Sequence, residues 1–222
     1  MTDGGTSIPE VQALLRVLAT GRDVLEIGTA FGEGAAAMAE TARSVVTVGH
    51  LVARKRHADV LRALWLLRDR HPELRYVVAG DGPEREPLRR LAAELGLDGR
   101  VELRGQLPPA SAREVARGAS ALVMPSVNEA FGVAYVEAMA AGVPAVGCRG
   151  EAGPEEIAAA GGGMVLVPPG DVEALAERLS TLIADAAYRR ELCREARATV
   201  QRAFTWEHCG AATVAAYEEA LR

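Results

Sequence analysis

The chain has 222 residues, of which 49% are hydrophobic, so it can bury the core of a compact domain. Its net charge of -5 and its aromatic content of 4% argue against nucleic acid as the main partner, because no basic surface gathers enough charge to neutralise phosphates. No apolar run reaches the roughly eighteen residues of a membrane helix, and residues 1–5 lack the features of a signal peptide. We therefore expect a cytoplasmic protein without a membrane span.

Residues 23–34 predict a strand, a glycine turn and the start of a helix. This segment resembles the first motif of class I methyltransferases, which bind S-adenosylmethionine, and the likeness covers about residues 8–48. The resemblance implies that Glu26, Gly28 and Gly32 are remnants of that ligand site. Glycine turns are also common in doubly wound folds that bind nothing there, so a purely structural role stays open.

The sequence departs from the methyltransferase pattern after the second predicted strand. A methyltransferase usually has an acidic residue for the ribose at that point, whereas residues 45–48 are followed by Gly49 and His50. Later methyltransferase motifs are not found in the sequence either. We therefore do not expect methyl transfer, and we interpret residues 1–43 as a strand and a helix joined to another enzyme.

From residue 45 onward, apolar strands alternate with helices of amphipathic periodicity. This alternation predicts an α/β fold, a Rossmann-like doubly wound parallel sheet with helices on both faces and a helical tail at the carboxyl end. The predicted strands are residues 45–52, 74–79, 101–103, 121–124, 145–148 and 164–167. The predicted helices are residues 56–70, 84–95, 110–118, 132–141, 172–184 with Asp171 as its cap, 188–202 and 205–221.

The segment 128–144 places Glu129 and Glu137 eight positions apart around Gly132, which opens a helix. It follows a buried strand, so the loop is expected at the carboxyl edge of the sheet, where open parallel sheets bind ligands. The helical amides of residues 131–134 have no partner within the helix and can hold a diphosphate. Two carboxylates at this separation suit two sets of sugar hydroxyls, although solvated surface glutamates give the same pattern.

Three further motifs accompany this segment in order, with strand and helix units between them. They are residues 49–55 and 80–83 before it, and residues 153–157 after it. In this combination residues 44–222 resemble the carboxyl-terminal, donor-binding half of the GT-B glycosyltransferases, and within them the retaining family 4. The resemblance implies a nucleoside diphosphate sugar as donor substrate and retention of configuration at the transferred sugar.

The resemblance also assigns roles to single residues. Lys55 matches the basic residue that neutralises the donor diphosphate, and Glu129 matches the carboxylate near the hexose hydroxyls, so these two are the predicted catalytic residues. Glu137 matches the ribose ligand. The predicted donor-binding residues are His50, Gly80, Asp81, Gly82, Phe131, Gly132, Val133 and Glu137.

Several of these assignments have alternatives. His50 stands where the family usually has arginine, and imidazole cannot clamp two oxygens with a fork of donors, so we expect weaker leaving-group stabilisation. Lys55 is also compatible with a solvated lysine, and residues 80–83 also form a good turn without any ligand. Residues 153–156 match a loop near the donor, but their glutamates could instead cap the helix that follows.

The sequence offers no pattern for a metal, a cofactor or a disulfide. It has no D-x-D pair to hold a divalent ion against a diphosphate, and its four histidines are dispersed. Cys148, Cys193 and Cys209 lack the spacing of a zinc site or a disulfide framework. We therefore expect metal-independent chemistry and structural thiols.

The expected organisation is a methyltransferase-like fragment, residues 1–43, followed by a nucleotide-sugar-binding domain, residues 44–222. The sequence is too short for the acceptor domain of a GT-B enzyme, so we expect donor recognition with weak or absent transfer by this chain alone. A non-catalytic fusion or truncated relic is the main alternative. The predicted strand at 24–27 is expected at a sheet edge, where it could pair with a second copy to form a homodimer.

Overall fold

The structure, a computed structural model, describes residues 43–221. The predicted methyltransferase-like unit, with Glu26, Gly28 and Gly32, and the predicted edge strand at 24–27 lie outside these residues. The described part begins one residue before the predicted nucleotide-sugar-binding domain.

Six parallel strands form one sheet at the centre of the described part. The strands are β1 (Ser44–Val48), β2 (Arg75–Ala79), β3 (Val101–Leu103), β4 (Ala121–Val123), β5 (Ala145–Cys148) and β6 (Met164–Val167). Their order in space is β3-β2-β1-β4-β5-β6, the Rossmann order. β1 therefore has a neighbour on each side, β2 and β4.

Helices cover both faces of this sheet. They are α1 (His57–Leu66), α2 (Arg85–Glu94), α3 (Pro109–Arg117), α4 (Val133–Ala140), α5 (Ala152–Ala160), α6 (Val172–Ala184), α7 (Ala186–Ala203) and α8 (Trp206–Ala220). Alternate strand residues point to opposite faces, so the core divides into two clusters. One cluster joins α1, α2 and α6 to the sheet, and the other joins α3, α4, α5 and α7. The predicted doubly wound α/β fold is confirmed.

The largest boundary differences concern the first predicted strand and helix. The strand predicted over 45–52 ends with β1, and the chain continues as a loop with a short 3₁₀ turn, Ala53–Lys55. Leu51 is fully buried within that loop, so its apolar character reflects loop packing rather than a strand. The helix predicted over 56–70 is the shorter α1.

The prediction of a loop at 153–156 is wrong, because these residues form the first turns of α5. Pro154 is compatible with that position, since the first turn of a helix does not need its N–H. Glu155 accepts a hydrogen bond at 2.9 Å from the N–H of Gly150, which lies before the helix. The segment therefore stabilises the start of α5.

The carboxyl-terminal helices form the predicted tail. Asp171 caps α6 as predicted, because its Oδ1 accepts the N–H of Ala174 at 2.8 Å. α8 buries none of its residues, and Trp206 and Tyr217 are 59% and 69% exposed. Among residues 43–221, no helix combines the length and the apolar character that crossing a membrane requires.

Candidate functional site

The sheet has its topological switch point between β1 and β4. After β1 the chain turns to the face covered by α1, and after β4 it turns to the face covered by α4. The two loops, residues 49–56 and 124–132, diverge at the carboxyl edge, where open α/β sheets hold ligands. A backbone hydrogen bond ties them together, from the Val127 N–H to the Arg54 carbonyl at 2.9 Å.

Lys55 and Glu129 meet between these loops, although 74 residues separate them in the chain. Lys55 Nζ donates to Glu129 Oε2 at 2.6 Å, and each side chain is only 9% exposed. Met124 Sδ lies 3.2 Å from the same nitrogen, and Arg54 Nη1 lies 3.6 Å from the same carboxylate oxygen. Because lysine and glutamate are seldom buried, the Lys55–Glu129 pair is a built charged site and not a solvated surface contact.

Lys55 is also the only lysine of the chain, among 25 lysine and arginine residues. A lysine offers a compact ammonium with three donors, whereas arginine offers a planar fork. In a chain whose other basic residues are all arginine, a single buried lysine indicates a position that needs the smaller group. This compositional signal points to Lys55 without any family resemblance.

Contacts with α5 fix the backbone of the loop that carries Glu129. The N–H of Glu129 donates to Glu151 Oε2 at 2.8 Å. A Cβ on Gly153 would lie 2.1 Å from the carbonyl oxygen of Phe131, so α5 touches the loop backbone directly. Glu151 was not predicted as a site residue, because no local pattern links a glutamate after β5 to a loop after β4.

The amino terminus of α4 lies next to this loop. Gly132 caps the helix with φ +88°, and a Cβ there would lie 2.3 Å from the ring of Tyr135. Tyr135 is fully buried and donates its hydroxyl to the Met124 carbonyl, so its ring cannot easily move away. The first turn of α4 contains no acidic residue, and Val133 is 60% exposed. The positive end of the helix is therefore open to an anion.

The predicted glycine turn after β2 packs against the loop after β1. A Cβ on Gly80 would lie 1.9 Å from the Gly49 carbonyl oxygen, and one on Gly82 would lie 2.5 Å from the Leu51 carbonyl oxygen. The Asp81 carbonyl accepts the Leu51 N–H at 3.0 Å, and its Oδ1 accepts the Gly82 N–H at 2.8 Å. Close packing of two loops thus explains both glycines.

Other predicted donor-binding residues lie around the same edge. His50 is exposed at the start of the loop after β1. The ring of Phe131 packs against Phe204, with 5.8 Å between the ring centroids. Glu137 lies one turn inside α4 and is half-buried; burial raises the pKa of its carboxyl group, and Arg113 acts in the opposite direction.

A buried polar network that the sequence did not predict lies beneath the loop after β1. His57 is 2% exposed, with Nε2 at 3.2 Å from the His50 carbonyl oxygen and Nδ1 at 2.9 Å from the Tyr76 hydroxyl. The Tyr76 hydroxyl lies 2.8 Å from Thr47 Oγ1, which donates to the Val123 carbonyl. These contacts join α1 to β2, β1 and β4.

This network makes the unfolding free energy depend on pH. Burial lowers the pKa of His57 from its ordinary value of 6.5, the hydrogen bond to His50 opposes this shift, and Lys55 adds to it. The folded protein thus disfavours the imidazolium, so the contribution of His57 is complete above about pH 6.5 and is lost as the pH falls through that value.

Urea unfolding between about pH 7.5 and 5.5 should show a steeper loss of stability for the wild type than for His57→Gln. His71, whose pKa burial also lowers, titrates in both proteins and cancels in the difference. Parallel stability curves for the two proteins would contradict this prediction.

The described residues contain no cluster of metal-binding type. In residues 43–221, no group of three or more histidine, cysteine, aspartate or glutamate side chains could hold a metal ion. Cys148 is buried at the end of β5, and burial raises the pKa of its thiol to about 11. A thiol of this kind is a packing group and not a nucleophile at neutral pH.

The fold and the site define a Rossmann-like domain with a buried ion pair at its switch point, the place where such sheets bind ligands. Residues 34–199 match the family described as glycosyl transferases group 1. The chain therefore belongs to this family. The predicted relation to the GT-B glycosyltransferases is confirmed at this level.

Curated relatives support the same family. A D-inositol 3-phosphate glycosyltransferase of Streptomyces bingchenggensis is 36% identical over 178 residues, which cover 73% of this chain and 37% of that protein. A 2-deoxystreptamine glucosyltransferase of Streptomyces kanamyceticus is 31% identical over 174 residues, which cover 78% of this chain and 45% of that protein. An exopolysaccharide phosphotransferase of Streptomyces coelicolor is 40% identical over 151 residues, which cover 68% of this chain and 16% of that protein. The chain spans less than half the length of each relative.

Solved structures share the fold. A sucrose-phosphate synthase of Thermosynechococcus elongatus is 27% identical, with a TM-score of 0.72 over 82% of this chain and 46% of that chain. A Staphylococcus aureus TarM mutant was solved with fondaparinux, α-GlcNAc-glycerol and UDP. It has a TM-score of 0.73 at 16% identity, over 91% of this chain and 41% of that chain. The carboxyl-terminal domain of LpcC from Francisella tularensis has a TM-score of 0.68 at 20% identity, over 79% of this chain and 95% of that chain.

Proposed function

We propose that residues 44–222 bind a nucleoside diphosphate sugar and form the donor half of a retaining hexosyltransferase of family 4. The observation that carries this proposal is the buried Lys55–Glu129 pair at the switch point between β1 and β4. A cation beside a carboxylate matches a ligand in which a diphosphate is joined to a ring of hydroxyl groups.

Lys55 is the group that holds the diphosphate. Its ammonium has three donors, of which one meets Glu129 and one the Met124 sulfur, so the third remains for a phosphate oxygen. The first amides of α4, at Val133 and Ala134, add donors and the positive end of the helix. These charges would neutralise the departing nucleoside diphosphate as the glycosidic bond breaks.

The two glutamates are the groups that orient the two sugar rings. An ionised carboxylate only accepts hydrogen bonds, and hydroxyl groups can donate to it. Glu129, whose backbone is tied to Glu151, would accept from the hexose hydroxyls, and Glu137 would accept from the ribose. Hydrogen bonds from the ribose would also favour the ionised form of Glu137, which burial disfavours in the free protein.

Arg54 supports the proposal as a second cation at the site. His50, at the position where the family usually has arginine, offers no fork of donors. The guanidinium of Arg54 lies 3.6 Å from Glu129 Oε2, and its side chain is 47% exposed, so it can reach a ligand at the switch point. In this chain Arg54 would supply part of the charge that His50 does not.

We further propose that efficient transfer needs acceptor contacts from outside residues 44–222. In a retaining transfer of this type, the donor phosphate takes the acceptor proton, so the protein mainly supplies charge and position. Positioning a second reactant is worth several powers of ten in rate, and the part of two relatives that aligns with this chain is only 45% and 37% of their length. The domain boundary at residue 43, the homodimer and the cytoplasmic location stay predictions.

Thermal unfolding with UDP, GDP and ADP tests the proposed donor class. A ligand present at about 100 times its Kd stabilises the folded state by about 2.7 kcal/mol, which should raise the Tm by about 5 °C or more. At least one of these diphosphates should give this shift, and the matching monophosphate should give a smaller one. No response to any of the three would contradict the proposal.

The same titration separates the alternatives. Binding of a nucleoside diphosphate with no preference among its sugar conjugates would favour a non-catalytic relic. Stabilisation by S-adenosylmethionine and not by the diphosphates would instead favour the methyltransferase interpretation of Glu26, Gly28 and Gly32.

A further inference from the structure

The loop that carries Lys55 contains a residue in an unfavourable backbone conformation. Arg56, between the 3₁₀ turn and α1, has φ +54°, in the left-handed region that non-glycine residues seldom adopt. Such a conformation persists only where surrounding contacts fix it. The guanidinium of Arg56 bonds Asp59 Oδ2 through two nitrogens at 2.6 Å each, which holds its side chain on α1.

His57, the next residue, holds the loop from the inside. Its ring contacts the His50 carbonyl through Nε2 and the Tyr76 hydroxyl through Nδ1. A carbonyl can only accept, so Nε2 carries the proton, and in the neutral ring Nδ1 accepts from Tyr76. Both nitrogens are therefore used, and the loop is bonded to β2 through one defined tautomer.

The contact with β2 extends to the strand that precedes the Glu129 loop. Tyr76 contacts Thr47 on β1, and Thr47 donates to the carbonyl of Val123, the last residue of β4. Tyr76 gives its one hydrogen to His57 and Thr47 gives its own to Val123, so the 2.8 Å between the two hydroxyl oxygens is a packing contact between residues that are each 1% exposed. The His50 carbonyl is thus bonded through His57 to Tyr76, which packs against β1, the neighbour of β4.

An apolar side chain could fill the space of His57 but could not make these bonds. It would leave the buried Tyr76 hydroxyl without its imidazole partner, which is costly, and the His50 carbonyl with the Val52 N–H at 3.0 Å as its remaining donor. The expected response is a shift of the loop toward water. That shift would carry the 3₁₀ turn, and with it Lys55, away from Glu129.

We propose that His57 is a positioning residue for Lys55: its two hydrogen bonds fix the loop after β1 at the place where the ammonium meets Glu129 and the donor diphosphate. The ligand in this statement rests on the proposed function. The coupling between His57 and the Lys55–Glu129 pair does not depend on the proposed function, and it can be measured without any ligand.

Acylation of Lys55 measures this coupling directly. Because Lys55 is the only lysine, labelling with an N-hydroxysuccinimide ester and peptide mass spectrometry follow one side chain. His57→Leu should raise the labelling rate about tenfold or more, because the freed loop exposes the amine. His57→Gln should stay within about threefold of the wild type, since its amide can donate to His50 and accept from Tyr76.

Two further variants keep the test decisive. Val200→Ala removes buried apolar volume on α7 and should leave the labelling rate of Lys55 unchanged. Tyr76→Phe removes only the hydroxyl bonded to Nδ1 and serves if His57→Leu does not fold; it should raise the rate about threefold. A wild-type rate in the folded His57→Leu or Tyr76→Phe protein overturns the proposal. Equal exposure in His57→Gln or Val200→Ala also overturns it, because general loosening would then explain the effect.

UDP affinity, measured by calorimetry, separates this inference from the proposed function. His57→Leu should weaken UDP binding about tenfold, and His57→Gln should restore it. If the wild type does not bind UDP but His57→Leu still exposes Lys55, the positioning role stands and the ligand class is wrong. If UDP binds the wild type and His57→Leu equally well, the positioning role is wrong and the proposed function stands.

Discussion

Lys55→Met is expected to weaken binding of UDP by about 30-fold or more, because a hydrogen bond to a charged group contributes about 1.5–3 kcal/mol. No other lysine of the chain can replace it. The same change leaves the buried carboxylate of Glu129 without its closest cation, so the free energy of unfolding should fall by about 3 kcal/mol. Calorimetry with UDP and urea unfolding measure the two effects.

A double variant separates binding from stability. In Lys55→Met with Glu129→Leu no unpaired charge remains at the pair, so stability should return to within about 1 kcal/mol of the wild type while UDP binding stays lost. Arg68→Met removes one positive charge away from the switch point and should leave the affinity unchanged. Wild-type affinity in Lys55→Met would contradict the role of this residue.

Gly153→Ala is expected to destabilise the protein by about 2 kcal/mol or more, because overpacking of a close contact typically costs about 1–3 kcal/mol. The new Cβ would lie 2.1 Å from the Phe131 carbonyl oxygen and 2.3 Å from its Cα, and backbone atoms cannot rotate away as a side chain can. Either α5 or the Glu129 loop must move. Urea unfolding measures the loss, and UDP affinity should fall with it.

Gly210→Ala is the matched control, since Gly210 also lies within a helix. A Cβ on Gly210 meets no atom within 4 Å, so alanine should stabilise α8 by up to about 1 kcal/mol through its higher helix propensity. The free energy of unfolding should therefore fall in Gly153→Ala and rise in Gly210→Ala. Equal stability of the two variants would contradict the close contact between α5 and the loop.

The fold was largely predictable because its strands are short apolar runs between clear turn signals. β5 and β6 have the predicted bounds, as does α6, whose cap Asp171 was also predicted. The loop after β1 was not predictable in this way. Leu51 has the composition of a strand residue and is buried, but its N–H bonds the Asp81 carbonyl across two loops, and no local periodicity reveals that contact.

Single residues of the candidate site could be predicted from the sequence, but the contacts between them could not. Family resemblance indicated Lys55 and Glu129 separately, and only the structure shows them as a buried pair across the switch point. Glu151 was missed because it acts on a backbone group 22 residues away, and His57 because its partners are a nearby carbonyl and the Tyr76 hydroxyl on another strand. The composition contained one further indication of the site, because Lys55 is the single lysine of the chain.

A crystal structure with UDP would test the central claim most directly. The diphosphate should lie within hydrogen-bond distance of Lys55 Nζ and of the amides that open α4, at Val133 and Ala134. Glu129 should then face the space beyond the second phosphate, where the sugar of a complete donor would sit. A nucleotide bound elsewhere on the domain, with the Lys55–Glu129 pair still closed at 2.6 Å, would contradict the account.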